Sequence, residues 1–192
     1  MLLPSLPFAV EYAAAGTDGE RLFIFGGRNT ANTPSNGFDY VQVFIVGKNM
    51  WVTSETEPIA PLPFSRAGMS HRAVYANGEF YVVGGETRTG AGASSTGTYT
   101  RVDIYNPATN SWREGPPLVQ GVHGAGAVLA YGQLMILGGL PSAFAASEAR
   151  IAQQMTWVTP STTTTTTVRG VDSLRDDHFA GRGRVNFYYA PF

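Results

Sequence analysis

The residues able to do chemistry in this sequence are few and scattered. The three histidines are His71, His123 and His178. No H-x-H or H-E-x-x-H spacing gives any of them a second ligand nearby, so a metal site would have to be gathered by the fold. Asp176-Asp177-His178 has the residue types of an acid/base or metal cluster, and equally those of a polar turn ahead of a strand. Arg182-Gly183-Arg184, with Tyr188 and Tyr189 nearby, has the composition of a single-strand nucleic-acid contact, but one such triplet is little to hold a polyanion. There is no G-x-x-x-x-G-K-S/T phosphate loop and no G-x-S-x-G nucleophile elbow. Recognition chemistry remains. Arg28, Arg66, Glu86, Arg88 and Tyr99 carry guanidinium forks, a carboxylate and an amphipathic ring, groups that anchor a carboxylate or a peptide. No catalytic residue, cofactor ligand or metal ligand is assigned.

Composition narrows the classes further. The chain has 192 residues, 43% of them hydrophobic, and a net charge of −1. That suffices for one sizeable core and offers no long-range field for nucleic acid or acidic lipid. Cysteine is absent, which excludes disulfides, thiolate metal sites and cysteine nucleophiles, and fits a reducing, cytoplasmic setting. No apolar run reaches the roughly 18 to 20 residues of a bilayer span. The first fifteen residues are apolar but lack a basic start and are interrupted by Pro4, Pro7 and Glu11. Because Leu6-Pro7-Phe8 matches Leu62-Pro63-Phe64, this segment reads as the start of a repeat rather than as a signal peptide.

The elements that must position these residues are short strands. Twenty-three glycines and twelve prolines predict many tight turns. Three apolar runs end in a glycine doublet: Gly26-Gly27, Gly84-Gly85 and Gly138-Gly139. Gly26 to Gly84 is 58 residues and Gly84 to Gly138 is 54, a period of supersecondary units rather than of helical repeats. After the first two doublets comes an aromatic residue with a tryptophan seven positions on: Phe44 and Trp51, then Tyr105 and Trp112. Alternating short runs predict strands at 8–15, 21–26, 39–46 and 50–53; at 68–76, 79–84, 101–106 and 111–113; and at 123–131, 133–138 and 149–158. The second and third units align without a gap from Arg66 and Gln120 to Gly85 and Gly139.

An apolar strand ending in Gly-Gly, an aromatic residue, a tryptophan seven on, and an Arg-x-x-x-x-His strand start (Arg66, His71) together resemble the Kelch repeat family. The resemblance covers roughly residues 6 to 157 and is sharpest in the second unit. It implies an all-β fold of Kelch-type β-propeller blades: about three four-stranded antiparallel blades at 6–53, 64–113 and 121–158, with a possible half blade. It also implies that the loops after the doublets (28–37 and 86–100) and between blades (54–65 and 114–122) share one rim that commonly carries the partner site. Gly26, Gly27, Gly84, Gly85, Gly138 and Gly139 would then let backbones approach closely. Trp51 and Trp112 would fill gaps between blades, Tyr105 and Trp157 would be further structural residues of the repeat, and Arg66 would bond backbone carbonyls of a neighbouring blade.

Beyond residue 138 the pattern weakens. Arg150 stands where an aromatic is expected seven before Trp157, and 142–154 is alanine-rich enough for a short helix. Residues 159–173 form a threonine-rich linker, a mobile loop by default, with an exposed strand left open by threonine's β-propensity. Residues 174–192 read as a partial fourth repeat or a docking tail. Three and a half blades leave open sheet faces, an aggregation hazard unless something covers them. The expected function is therefore a non-catalytic protein–protein interaction scaffold or a structural subunit of a larger assembly. Its partners would be other proteins, or a second copy completing the propeller, with no nucleic acid, membrane span or cofactor. The alternative is a propeller enzyme acting on carbohydrate, sialidase- or oxidase-like, for which neither an arginine triad nor a crosslinking cysteine is visible.

Overall fold

The structure is a computed structural model that describes residues 3–29, 37–87, 95–143 and 152–156. The described part is all strand and turn, apart from a single 3-10 turn over Val46–Lys48. Eleven strands form three antiparallel sheets. The first holds β1 (Ala14–Thr17), β2 (Arg21–Phe25), β3 (Val41–Ile45) and β4 (Met50–Thr53), in that order. The second holds β5 (Val74–Ala76), β6 (Glu79–Val83), β7 (Val102–Asn106) and β8 (Ser111–Glu114) in the same order. The third is a three-stranded sheet of β9 (Gly126–Ala130), β10 (Gln133–Leu137) and β11 (Ala152–Thr156), with β10 in the middle. The region anticipated at 149–158 thus contributes a strand to the third sheet.

Local chemistry explains the meander. Hairpins turn on residues that tolerate the left-handed region: Asn77-Gly78 joins β5 to β6 and Tyr131-Gly132 joins β9 to β10, each pair with positive φ at both positions. Asn106 Oδ1 accepts from the backbone N–H of Ala108 and Thr109, closing the β7–β8 turn.

The first strand of each sheet starts later than the apolar pattern suggests. Ahead of it, Glu11 bridges Arg28, Ala67 bridges Glu86 and His123 bridges Leu140 as isolated pairs. The interruption has one cause in all three units: Tyr12, Gly68 and Gly124 have φ of 56°, 63° and 64°. A left-handed residue breaks a ladder. These three residues then tie neighbouring sheets together. Gly68 N–H donates to the Tyr12 carbonyl (2.9 Å) and Gly124 N–H to the Gly68 carbonyl (2.7 Å).

The same bridges correct the ungapped alignment. Ala67 and Glu86 are nineteen residues apart, whereas Glu11 to Arg28 and His123 to Leu140 are seventeen. Val10, Arg66 and Val122 therefore occupy equivalent positions, and Gln120 does not face the place of Arg66. The second unit carries two extra residues between its rim and β5.

Apolar residues fill the spaces between sheets. Phe23 and Phe25 of β2 meet Phe80 of β6, with ring centroids 4.5 and 5.5 Å apart. Trp112 meets Phe25 edge-on at 5.6 Å, so it occupies the gap between the first two sheets. Tyr81, Val83, Leu134 and Ile136 belong to the core between the second and third sheets. Arg88, Trp157, the threonine run and the tail at 174–192 lie outside the described residues.

Candidate functional site

Each sheet has a buried polar residue on its third strand, opposite the second residue before the doublet: Gln42 opposite Ile24, Asp103 opposite Val82 and Gln153 opposite Ile136. Each holds the segment leading into its own unit. Gln42 Oε1 accepts from Phe8 N–H (2.9 Å) and its amide donates to the Phe8 carbonyl (3.1 Å). Gln153 makes the same two bonds with Gln120, both at 3.1 Å. In the second unit an ion pair replaces the glutamine. Arg66 Nη2 donates to Asp103 Oδ2 at 2.6 Å, its Nε donates to the Gly84 carbonyl at 2.8 Å, and its Nη1 donates to the Phe64 carbonyl at 3.3 Å.

Arg66 is consequently fully buried, as is Tyr99, whose ring lies 5.3 Å from the guanidinium carbon. Burial pulls the guanidinium below its ordinary value, while Asp103 pulls it back up. Burial likewise raises the Tyr99 hydroxyl. Of the residues singled out as partner anchors, these two lie beneath the rim. The carbonyls that Arg66 bonds belong to its own unit, which corrects the expectation that they would come from a neighbouring blade. Arg101 completes the group, donating to Asp103 Oδ1 at 2.6 Å and to Glu114 at 3.0 Å. Burial would lower its pKa, but the bonds to these carboxylates outweigh that and raise it.

Arg28 and Glu86 do come together. Each directly follows a doublet, and Arg28 Nη1 lies 3.2 Å from Glu86 Oε1, linking the first sheet to the second. Arg28 Nε also reaches Glu11 at 3.2 Å, and its guanidinium lies 4.4 Å from the centre of the Tyr12 ring. On the other side, Glu86 Oε2 is 3.6 Å from His123 Nε2, whose ring also contacts the Ser142 carbonyl at 3.0 Å. A row of ionisable side chains, Glu11–Arg28–Glu86–His123, so crosses all three sheets at the doublet end. Glu86 is buried within it, Arg28 and His123 are half-buried, and Glu11 is exposed. A recess of about 190 Å³ opens beside it, lined by Ala9, Val10, Glu11, Arg28 and Asn29.

Sequence reasoning did not single out Glu11, His123 as a rim residue, or the buried Gln42, Asp103 and Gln153. The signal that could have found the last three was a polar residue at a matched position inside three apolar strands. Arg88 lies outside the described residues. Among the described residues, no group of three or more His, Asp or Glu could hold a metal ion. Nor is there among them a helix long and apolar enough to cross a membrane.

Comparison with known proteins agrees with this architecture. The Kelch motif family profile matches residues 67–119. The chain is 29% identical over 137 residues to Kelch-like protein terF of Aspergillus terreus, covering 71% of this chain and 28% of that protein. It is 32% identical over 119 residues to Kelch repeat and BTB domain-containing protein 12 of Danio rerio, covering 59% of this chain and 18% of the relative. It is 31% identical over 141 residues to Kelch-like protein 25 of Xenopus tropicalis, covering 70% of this chain and 21% of the relative. The match thus spans less than a third of each of these proteins. The solved structure of YjhT superposes with a TM-score of 0.65 at 18% identity, covering 80% of this chain and 52% of that one. With its doublets, its tryptophans and its stacked antiparallel sheets, the chain carries the Kelch motif over residues 67–119 and has the fold of a Kelch-type β-propeller segment.

Proposed function

We propose that this chain is a non-catalytic protein-interaction scaffold, or a structural subunit of an assembly, that binds its partner at the doublet-end rim. The observation that carries the reading is the Arg28–Glu86 contact between two sheets, set in the row of ionisable side chains with Glu11 and His123. A rigid propeller that presents both signs of charge beside a shallow recess suits a polar protein segment better than a small apolar molecule. Three of the described arginines are committed in ways that do not favour the carbohydrate-enzyme alternative: Arg66 and Arg101 are spent on Asp103, and Arg21 on Asp18. The partners are proteins, including a second copy of this chain, and the setting is cytoplasmic.

The test is affinity capture from an extract of the source cells, with the chain immobilised as wild type, Arg28→Glu and Glu11→Arg. One protein retained in stoichiometric amount by the wild type, and lost with either reversal at unchanged circular dichroism, is the expected result. Equal retention by all three forms, or no retention by the wild type, would refute the rim as the binding site.

A further inference from the structure

The left-handed position that ties neighbouring sheets together is glycine in the second and third units and tyrosine in the first. Tyr12, Gly68 and Gly124 have φ of 56°, 63° and 64°. Glycine enters this region freely, whereas a side chain there crowds its own following carbonyl, and a bulky one is rare. Burial does not compensate the strain, because Tyr12 is 50% exposed. A strained residue kept in the open points to a binding surface rather than to a core.

The ring stands over a junction whose two sides are both described. A Cβ at Gly68 would lie 3.0 Å from Glu86 Cγ, in its own unit, and 3.3 Å from His123 Cβ, in the next. The equivalent direction at Tyr12 leads to Arg28 and toward the second sheet, and the Arg28 guanidinium does lie 4.4 Å from the ring centre. Gly68 N–H donates to the Tyr12 carbonyl at 2.9 Å, which fixes this residue to the second sheet. The same guanidinium meets Glu11 and Glu86, each at 3.2 Å, so the ring and two carboxylates share one cation and leave one negative charge in excess. The Glu11 side chain is 46% exposed, whereas those of Arg28 and Glu86 are 16% and 5% exposed. The most accessible charge here is therefore a carboxylate beside an accessible aromatic ring. Residues 29–37, after the first doublet, add no charged residue.

We propose that Tyr12 is the aromatic anchor of the rim site and that it receives a cationic side chain of the protein partner, an arginine or a lysine, between its ring and the carboxylate of Glu11. An aromatic face and a carboxylate close together attract a guanidinium or an ammonium from two sides. The fold already shows the pairing, with Arg28 against the same ring and the same carboxylate. An anionic group of a partner would meet the opposite balance, because the Arg28 charge is divided between two carboxylates and largely covered. This inference rests on the rim reading and deepens it: it assigns the sign of charge that the partner presents and the residue that meets it.

The test is NMR of the 192-residue chain titrated with acetyl-arginine amide, its neutral isostere acetyl-citrulline amide, and acetyl-glutamate amide. The arginine compound should shift the Tyr12 ring and Glu11 signals saturably, with a dissociation constant in the millimolar range, and the other two should not. Tyr12→Gly, which installs the residue of the other two units, should abolish the shift at Glu11. It should also melt at or above the wild type, since the left-handed strain leaves with the side chain. Tyr12→Phe keeps the ring and should bind within about twofold of the wild type. Glu11→Gln should bind about two- to fivefold more weakly. Equal shifts from the citrulline compound, stronger binding of the glutamate compound, or no saturable shift from the arginine compound would overturn the proposal. So would a Tyr12→Gly variant that melts well below the wild type, which would make the ring a part of the fold. The capture experiment separates the two readings. No protein retained by the wild type refutes the rim itself; a protein lost with Arg28→Glu but kept by Tyr12→Gly leaves the rim standing and overturns the role of Tyr12.

Discussion

The guanidinium of Arg66 and the carboxylate of Asp103 meet at 2.6 Å with neither side chain exposed. Breaking a buried ion pair from one side costs about 3–5 kcal/mol, because the remaining charge stays in a low-dielectric site. The two sides are not equivalent here, since Asp103 also holds Arg101. Asp103→Leu strands the buried Arg66 and leaves Arg101 with Glu114 alone, and should cost about 3–5 kcal/mol. Arg66→Met leaves Asp103 paired with Arg101 and should cost less. The double variant should be more stable than the two single losses sum to. Urea denaturation of all three measures this; Arg66→Met proving the worse single change would contradict the assignment.

Gly84 and Gly78 separate backbone strain from crowding. Both have positive φ, 63° and 80°, but a Cβ at Gly78 meets nothing within 4 Å, whereas one at Gly84 strikes the Val122 carbonyl. Gly78→Ala should cost about 1–2 kcal/mol, the left-handed penalty alone. Gly84→Ala should cost a further 1–3 kcal/mol or so for overpacking at the sheet junction. Equal melting temperatures for the two variants would show that the doublet is not held tightly against the next unit.

Gln42 tests the clamp on the leading segment. Gln42→Leu leaves the Phe8 N–H and carbonyl without their partner, a loss of about 1–3 kcal/mol. Gln42→Glu keeps the acceptor and removes the donor, so it should lose the bond to the Phe8 carbonyl while retaining the one from its N–H. Amide hydrogen exchange at Phe8 reads the difference: faster exchange in Gln42→Leu, near-native exchange in Gln42→Glu.

Tyr81 predicts an alkaline limit. Burial first, and the neighbouring Glu79 second, push its hydroxyl up from 10.0 to about 12. The folded state therefore holds the proton more tightly than the unfolded state. The resulting stability is complete below about pH 10 and is lost as pH rises from about 10 through about 12. Tyr81→Phe should flatten that decline in chemical denaturation between these values. A shallower slope remains, because burial also raises Tyr99 and Tyr105. An unchanged slope would mean that Tyr81 ionises as freely in the folded chain as in the unfolded one.

The sequence by itself determined the repeating unit. Glycine doublets, the aromatic–tryptophan spacing and alternating apolar runs are local signals, because turn chemistry and strand periodicity act over a few residues. Those signals located β2, β3, β4, β6, β7, β8 and β10 closely. They missed the true start of the first strands, where Tyr12, Gly68 and Gly124 turn left-handed at a point set by bonds to the neighbouring sheet. Only the tertiary structure decided which residues are equivalent across units. Val10, Arg66 and Val122 share a position because their surroundings match: the Arg66 and Val122 carbonyls accept from the preceding doublet, and all three lie in line with the rim bridges. No residue-by-residue match reveals this, since one of the three is charged and two are apolar. Tertiary contacts also assigned the candidate residues their roles, burying Arg66 and Tyr99 and joining Arg28 to Glu86 across 58 positions of chain. Burial and pairing depend on residues distant in sequence, so spacing alone could not separate an arginine that holds the fold together from one at its rim.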